Sequence, residues 1–379
     1  MKQVLLPKNA TKLERAVSET TAPTQQILEA VEAIRVAKHV TRPPSFLPWL
    51  IDECGLEELT PYLPNLYELL DEGVAWQRIR GTPMAVAKGL GWLGYTAAQE
   101  EASPNRRYWN SFQLRFPSLP ANDDPDLSRI EGISTLSVSR RSRFRRGVHR
   151  YDIKPLELDY SRLDQSMLEF ESGVAATPGT PSWPGQPAIW SFGRLAEFDH
   201  TLSQAEGEAI GNWIDPPVGG GSLAWEDMTY PWEEATFAWE DSPEAQRQAL
   251  MAGWFAGRPI YLCLRAAGGA VIGYRLCRAV RPVGLAPGGA YRVGGAAYDP
   301  SPSGTRVYIE AMTQFEDADD VAATSISLLV NAVRAPGVKP GKQWLTAAQL
   351  SGGQEFAQRA VTIPLRRTVR DQFKFLVRF

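Results

Sequence analysis

The hydrophobic period of this chain changes at about Tyr108, and with it the kind of secondary structure the residues can build. Before that point apolar residues recur at helical spacing. Residues 24–40 place Ile27, Val31 and Ile34 on one stripe, with Ala30, Ala33 and Ala37 beside it. Thr24 is positioned to cap that helix, and Arg42-Pro43-Pro44 to end it. FLPWLIDECGLEEL predicts a short apolar helix entered through Pro48, and residues 66–80 another, closed by Gly81. Thr82-Pro83 then joins an N-cap hydroxyl to a proline at the first helical position. Val86, Leu90 and Leu93 supply the apolar face of the helix it opens, and Gly94 suits the residue after its end.

Beyond Tyr108 alternation takes over. SFQLRFPSL, residues 133–138 and residues 151–160 read as strands. Residues 260–264 and 271–280 flank Ala266-Ala267-Gly268-Gly269 as a hairpin, and 306–312, 361–365 and 373–379 add further strands. A Pro/Gly-rich connector at 173–186 marks a boundary. The expected class is α+β: a helical module followed by mostly antiparallel, sandwich-like β-domains. The expected divisions are 1–107, a β-rich 108–186 that includes the connector, and a β-rich 187–379.

Composition excludes several functions. Lys plus Arg total 40 against 43 acids, so a globally basic nucleic-acid binder is not expected. Three cysteines in 379 residues do not make a disulfide scaffold. No apolar run approaches the roughly 18 residues of a membrane helix, and the first residues lack a signal-peptide core. Synthesis in a cytoplasm, without membrane association, is the expectation.

The candidate motifs for chemistry are weak. Gly89-Leu-Gly91-Trp-Leu-Gly94 has the spacing of a dinucleotide fingerprint but lies within and at the end of a helix, with no strand before it. GVKPGK at 337–342 lacks one spacer and the metal-binding hydroxyl of a phosphate loop. His39, His149 and His200 are scattered without zinc-ligand spacing. No catalytic residue, metal ligand or cofactor is assigned.

Two other patterns carry more. Thr229-Tyr230-Pro231-Trp232-Glu233-Glu234 recurs seven residues later as Thr236-Phe237-Ala238-Trp239-Glu240-Asp241, and Ala224-Trp225-Glu226-Asp227 is half of a third copy. Trp225, Trp232 and Trp239 are therefore candidates for packing or for stacking on sugars. The second pattern is a basic stretch of Arg140, Arg141, Arg143, Arg145, Arg146 and Arg150, read as a solvated loop or as a patch for an acidic partner.

Cys263 and Cys277 test the hairpin. A three-residue loop centred on Ala270 would oppose them directly, whereas a two-residue Gly268-Gly269 turn would pair Cys263 with Tyr274. In either register, two reduced and buried thiols are expected.

The N-terminal third resembles the tail protein I family of P2-like contractile-tailed phages, a baseplate wedge component. The series that carries it is TKLERAVSE (11–19), PSFLPWLIDECGLEEL (44–59) and GVAWQRIRGTPMAVAKGLGWLG (73–94). The sequence departs from that pattern at Trp76-Gln77 and at Cys54-Gly55, and residues from about Tyr108 onward look like added β-domains. The resemblance implies a structural, non-enzymatic protein of the virion tail, made in a host bacterial cytoplasm. Its partners would be other wedge proteins, central hub or spike proteins and tail fibre proteins. Ile27, Val31, Ile34, Trp76, Arg78, Arg80 and the arginines at 140, 141, 143, 145 and 146 are the candidate interface residues. The competing reading is a tail-associated carbohydrate-binding or glycan-hydrolysing protein that uses the tryptophan–acid repeat.

Overall fold

The computed structural model describes residues 6–21, 25–101, 109–150, 173–176, 187–216, 242–318 and 320–379. The expected strand at 151–160, the connector from 177 to 186 and the tryptophan–acid repeat lie outside these. The chain divides into two units. One comprises the residues up to Gly94 with Leu136–Ser139, and the other Tyr95–Thr135 with Arg140–Phe379.

The first unit is helical: α1 (Lys12–Thr20), α2 (Gln25–Val36), α3 (Leu47–Cys54), α4 (Leu66–Gln77) and α5 (Pro83–Trp92). Local chemistry sets their ends. Asn65 Oδ1 accepts from the Tyr67 amide at 3.1 Å to start α4, and α3 stops at Gly55, whose φ of +64° lies in the left-handed region. The core is built by Leu47, Leu50 and Ile51 of α3, Leu69, Leu70 and Trp76 of α4, and Ala85, Val86 and Leu90 of α5. Leu56 fills the gap beside α4. A Cβ on Gly73 would meet its Cδ2 at 3.0 Å, so a larger residue there would push the two apart.

The turn into α5 matches the sequence reading. Gly81 has φ +93°, and Thr82 Oγ1 accepts from the Ala85 amide at 3.4 Å while donating to the Ile79 carbonyl at 2.7 Å. Thr82→Ala is expected to cost roughly 1 kcal/mol, the usual worth of such a cap. Chemical denaturation with an unchanged midpoint and slope would show that the cap contributes nothing.

The second unit holds two sheets. The larger comprises β1 (Ala98–Glu101), β2 (Ser111–Phe116), β3 (Arg143–His149), β4 (Val174–Ala175), β5 (Ile189–Thr201), β8 (Ala279–Leu285), β9 (Tyr291–Val293), β10 (Ala296–Pro300), β11 (Arg306–Met312) and β15 (Val369–Arg378). The smaller comprises β6 (Ile260–Arg265), β7 (Val271–Leu276), β12 (Val321–Arg334), β13 (Trp344–Leu345) and β14 (Leu350–Leu365). The orders are β1-β2-β3-β5-β15-β11-β8-β10-β9, with β4 beside β5, and β13-β7-β6-β12-β14. Most pairs are antiparallel, but β2–β3, β3–β5 and β5–β15 are parallel.

The parallel pair β2–β3 corrects one expectation. Residues 133–138 are not a strand; they fall in and just beyond helix α6 (Asp126–Ser137). Parallel neighbours need a crossover, and a helix is the usual one. Among the described residues the unit also holds α7 (Gln204–Ile210) and α8 (Pro243–Phe255).

The sheets pack face to face. Leu262, Leu264, Ile326, Leu328, Val330 and Phe356 from the smaller meet Val307, Ile309, Phe373, Phe375 and Val377 from the larger in one core, joined by Met251 and Phe255 of α8. At the other end of the large sheet, Phe116, Phe144, Trp190 and Phe192 form an aromatic cluster with ring centroids 5.5–6.3 Å apart. Gly147 makes room for it, since a Cβ there would sit 2.4 Å from the Trp190 ring.

Strand β14 lies at a sheet edge, where unpaired amides invite association. At Ala357, whose φ is +52°, the amide donates to Glu206 Oε1 at 3.1 Å. Glu206 also completes a capping box with Ser203 at the start of α7. One carboxylate thus starts a helix and closes part of an edge.

The hairpin takes the Gly268-Gly269 register: Cys263 opposes Tyr274. The Cys277 amide donates to the Ile260 carbonyl at 2.9 Å. Ile260 is three residues from Cys263, so the sulfurs lie on opposite faces, roughly 10 Å apart along the strands. Both are free and buried, and burial pushes the Cys263 thiol up to about 11 and the Cys277 thiol higher still. Iodoacetamide is expected to label Cys54 in the folded protein and to spare the other two until denaturant is added. A mass-spectrometric peptide linking Cys263 to Cys277 would overturn this register.

Candidate assembly surface

The helices at the start of the first unit are amphipathic, yet none of their described side chains is buried. In α1 a capping box holds the first turn. The Thr11 amide donates to Glu14 Oε2 at 2.6 Å, and the Glu14 amide donates to Thr11 Oγ1 at 3.2 Å. Leu13 and Val17, one turn apart, face solvent.

In α2 the stripe read from the sequence is exposed. Ile27, Val31 and Ile34 are 53%, 60% and 62% exposed, and Leu28, absent from that reading, is 50% exposed beside them. Leu28 stands three residues before Val31, so its spacing alone could have added it. Beyond α2 the chain makes a π-helical turn at Ala37–Thr41 and stops at Arg42, whose φ is +39°. That turn leaves Val40 exposed as well.

A twelve-residue helix is marginal in water unless its apolar face is covered. Covering a large aliphatic side chain gains on the order of 1.5–3 kcal/mol. Ile27, Leu28, Val31 and Ile34 together form an exposed apolar stripe whose covering would be worth several kcal/mol.

Several residues read as partner contacts are placed elsewhere. Trp76 is a core residue, 2% exposed. Its Nε1 donates to the Ala85 carbonyl at 3.1 Å and to Ser137 Oγ at 3.3 Å, and its ring tilts against Trp92 at 6.0 Å. Arg80 supports it. The guanidinium lies 5.3 Å from the Trp76 ring centre, Nε donates to the Leu136 carbonyl at 2.8 Å, and Glu58 is 3.8 Å away. Arg78 is exposed at the end of α4.

The arginine-rich stretch is not one solvated patch. Residues 143–149 are strand β3, held between β2 and β5. Strand alternation sends successive side chains to opposite faces. Arg146 is accordingly buried at 2% exposure, while Arg143 and Arg145 are half-buried. Arg140 and Arg141 precede the strand and stay exposed, the latter 6.0 Å from the Trp109 ring centre. Trp225, Trp232 and Trp239 lie outside the described residues.

Among the described residues no group of three or more His, Cys, Asp or Glu side chains could hold a metal ion. No helix of the described residues is long and apolar enough to cross a membrane.

Compared with known families, residues 6–132 match the model of the phage tail protein family, Tail_P2_I. The match covers the N-terminal third of the chain and contains α1 and α2 with their exposed stripes. It also runs past Tyr108, where the family-like segment was expected to end, and takes in β1, β2 and the first half of α6. No curated protein matches the chain.

Proposed function

We propose that this protein is a structural component of a phage or phage-like tail baseplate, a wedge protein assembling around the central hub and linking towards the tail fibres. One observation carries the reading: the segment that matches a phage tail protein presents, on α2, an exposed stripe of Ile27, Leu28, Val31 and Ile34. A helix in that condition gains stability by laying its stripe against a partner helix or groove. Other wedge proteins and the hub or spike proteins supply such surfaces in a baseplate. The β-rich unit then serves as the part that faces outward, towards fibre proteins. The reading calls for no cofactor, nucleic acid or membrane.

Deleting the gene from a particle-producing strain tests this. Tails without complete baseplates, restored by the wild-type gene supplied in trans, are expected. Normal, infective particles without the protein would end the proposal. Complete baseplates that fail to adsorb to host cells would point instead to a carbohydrate-binding role.

A further inference from the structure

In the second unit, the end of α8 and the strands β8 and β10 enclose a cleft of about 590 Å³. Its walls include Trp254, Arg258, Arg281, Pro282, Pro300 and Pro302, and among the described residues no aspartate or glutamate lines it. Arg258 is held in place, its Nε donating to the Trp254 carbonyl at 2.8 Å and its guanidinium 4.2 Å from the Trp254 ring centre. Arg281 donates to the Val280 carbonyl at 3.1 Å. Neither forms an ion pair with a carboxylate among the described residues. Arg194, Arg247, Arg265, Arg275, Arg278, Arg366, Arg367 and Arg378 of the same unit all do. Other arginines of the unit, such as Arg292, Arg306, Arg334 and Arg359, also lack a carboxylate partner among the described residues, but Arg258 and Arg281 are two such cations that meet at one apolar cleft of ligand size.

We infer that this cleft docks an acidic, aromatic peptide segment of a partner protein. A guanidinium with free N–H donors binds carboxylate strongly and directionally. The prolines and Trp254 offer a rigid apolar wall for a ring. A sugar fits less well, because its hydroxyls need acceptors as well as donors, and among the described residues Ser301 is the one other side chain in the lining that can accept. The inference stands on the second unit and does not depend on the assembly role of α2.

A fluorescein-labelled peptide with the sequence of residues 229–241, which carries Trp232, Trp239 and four carboxylates, is a suitable probe of this chemistry. Fluorescence anisotropy with the full-length protein should show saturable binding that weakens as salt is raised. Arg258→Met with Arg281→Met, which keeps the apolar stems, should weaken it at least tenfold with circular dichroism unchanged. A second probe, the same peptide with its carboxylates replaced by amides, should lose as much against wild-type protein. Binding unaffected by both changes, or none at all, overturns the inference. So does tighter binding of an oligogalacturonate, which would make the site one for glycan. Peptide binding seen only after Glu233, Glu234, Glu240 and Asp241 of the chain itself are changed to amides would also overturn it, by assigning the cleft to the chain's own repeat.

Discussion

Trp76→Ala is expected to destabilise the helical unit by roughly 3–5 kcal/mol, the usual cost of deleting a buried tryptophan. The indole is almost fully enclosed and packs on Trp92. Its N–H also ties α4 to the Ala85 carbonyl and to Ser137. Removing it leaves a cavity and frees those acceptors together. A typical domain has only about 5–15 kcal/mol to lose, so the helical far-ultraviolet signal should melt well below the wild-type temperature. Trp76→Phe keeps most of the volume and should cost about 1 kcal/mol for the lost hydrogen bond. A Trp76→Ala protein with wild-type melting would return this residue to the role of a partner contact.

The two readings of Trp76 show what a sequence can and cannot reveal here. Features set by neighbouring residues were legible. The cap at Thr82-Pro83, the left-handed glycines at 81 and 94, and the alternation in β2 each depend on a few adjacent residues. Features set by distant residues were not. Residues 133–138 carry β-branched Ile133, Thr135 and Val138, which suit a strand, yet they fall in and just beyond α6, the crossover of the parallel pair β2–β3. The arginine run has a charge pattern that suits solvent, but pairing on both sides places β3 inside the sheet and buries Arg146. Indole and guanidinium groups suit interfaces and cores alike, so burial alone decides between them.

The end of the family match has a physical explanation of the same kind. Its last part lies in the second unit, where β2 pairs with β3, and where Asp123 accepts from Arg366 Nε at 2.8 Å and Thr368 Oγ1 at 2.7 Å. Arg366 Nη1 also donates to the Pro120 carbonyl at 2.6 Å. The matched segment therefore contributes the edge strand β1, its neighbour β2 and the carboxylate of a largely buried ion pair to the β-rich unit. The helical motifs that carried the resemblance, ending at Gly94, reveal nothing of this, because the residues that complete it lie more than two hundred positions later.

Val31→Asp combined with Ile34→Asp should abolish incorporation into tails while leaving the isolated protein as stable as wild type. Both side chains are mostly in water already, so exchanging them for aspartate removes little packing from the free chain. Surface changes of this kind usually fall within about 0.5 kcal/mol. In an assembled interface the same two positions would bury carboxylates without partners, at a cost of several kcal/mol each. That difference makes the pair a selective test of docking. The measurement is complementation of a deletion strain, scored by the protein content of purified particles, alongside thermal melting of the isolated variant. Val31→Ala with Ile34→Ala should fall between, since it removes apolar area without adding buried charge. Wild-type incorporation of the aspartate variant would exclude α2 as the contact. A collapse in its melting temperature would mean that the stripe is covered within the chain itself.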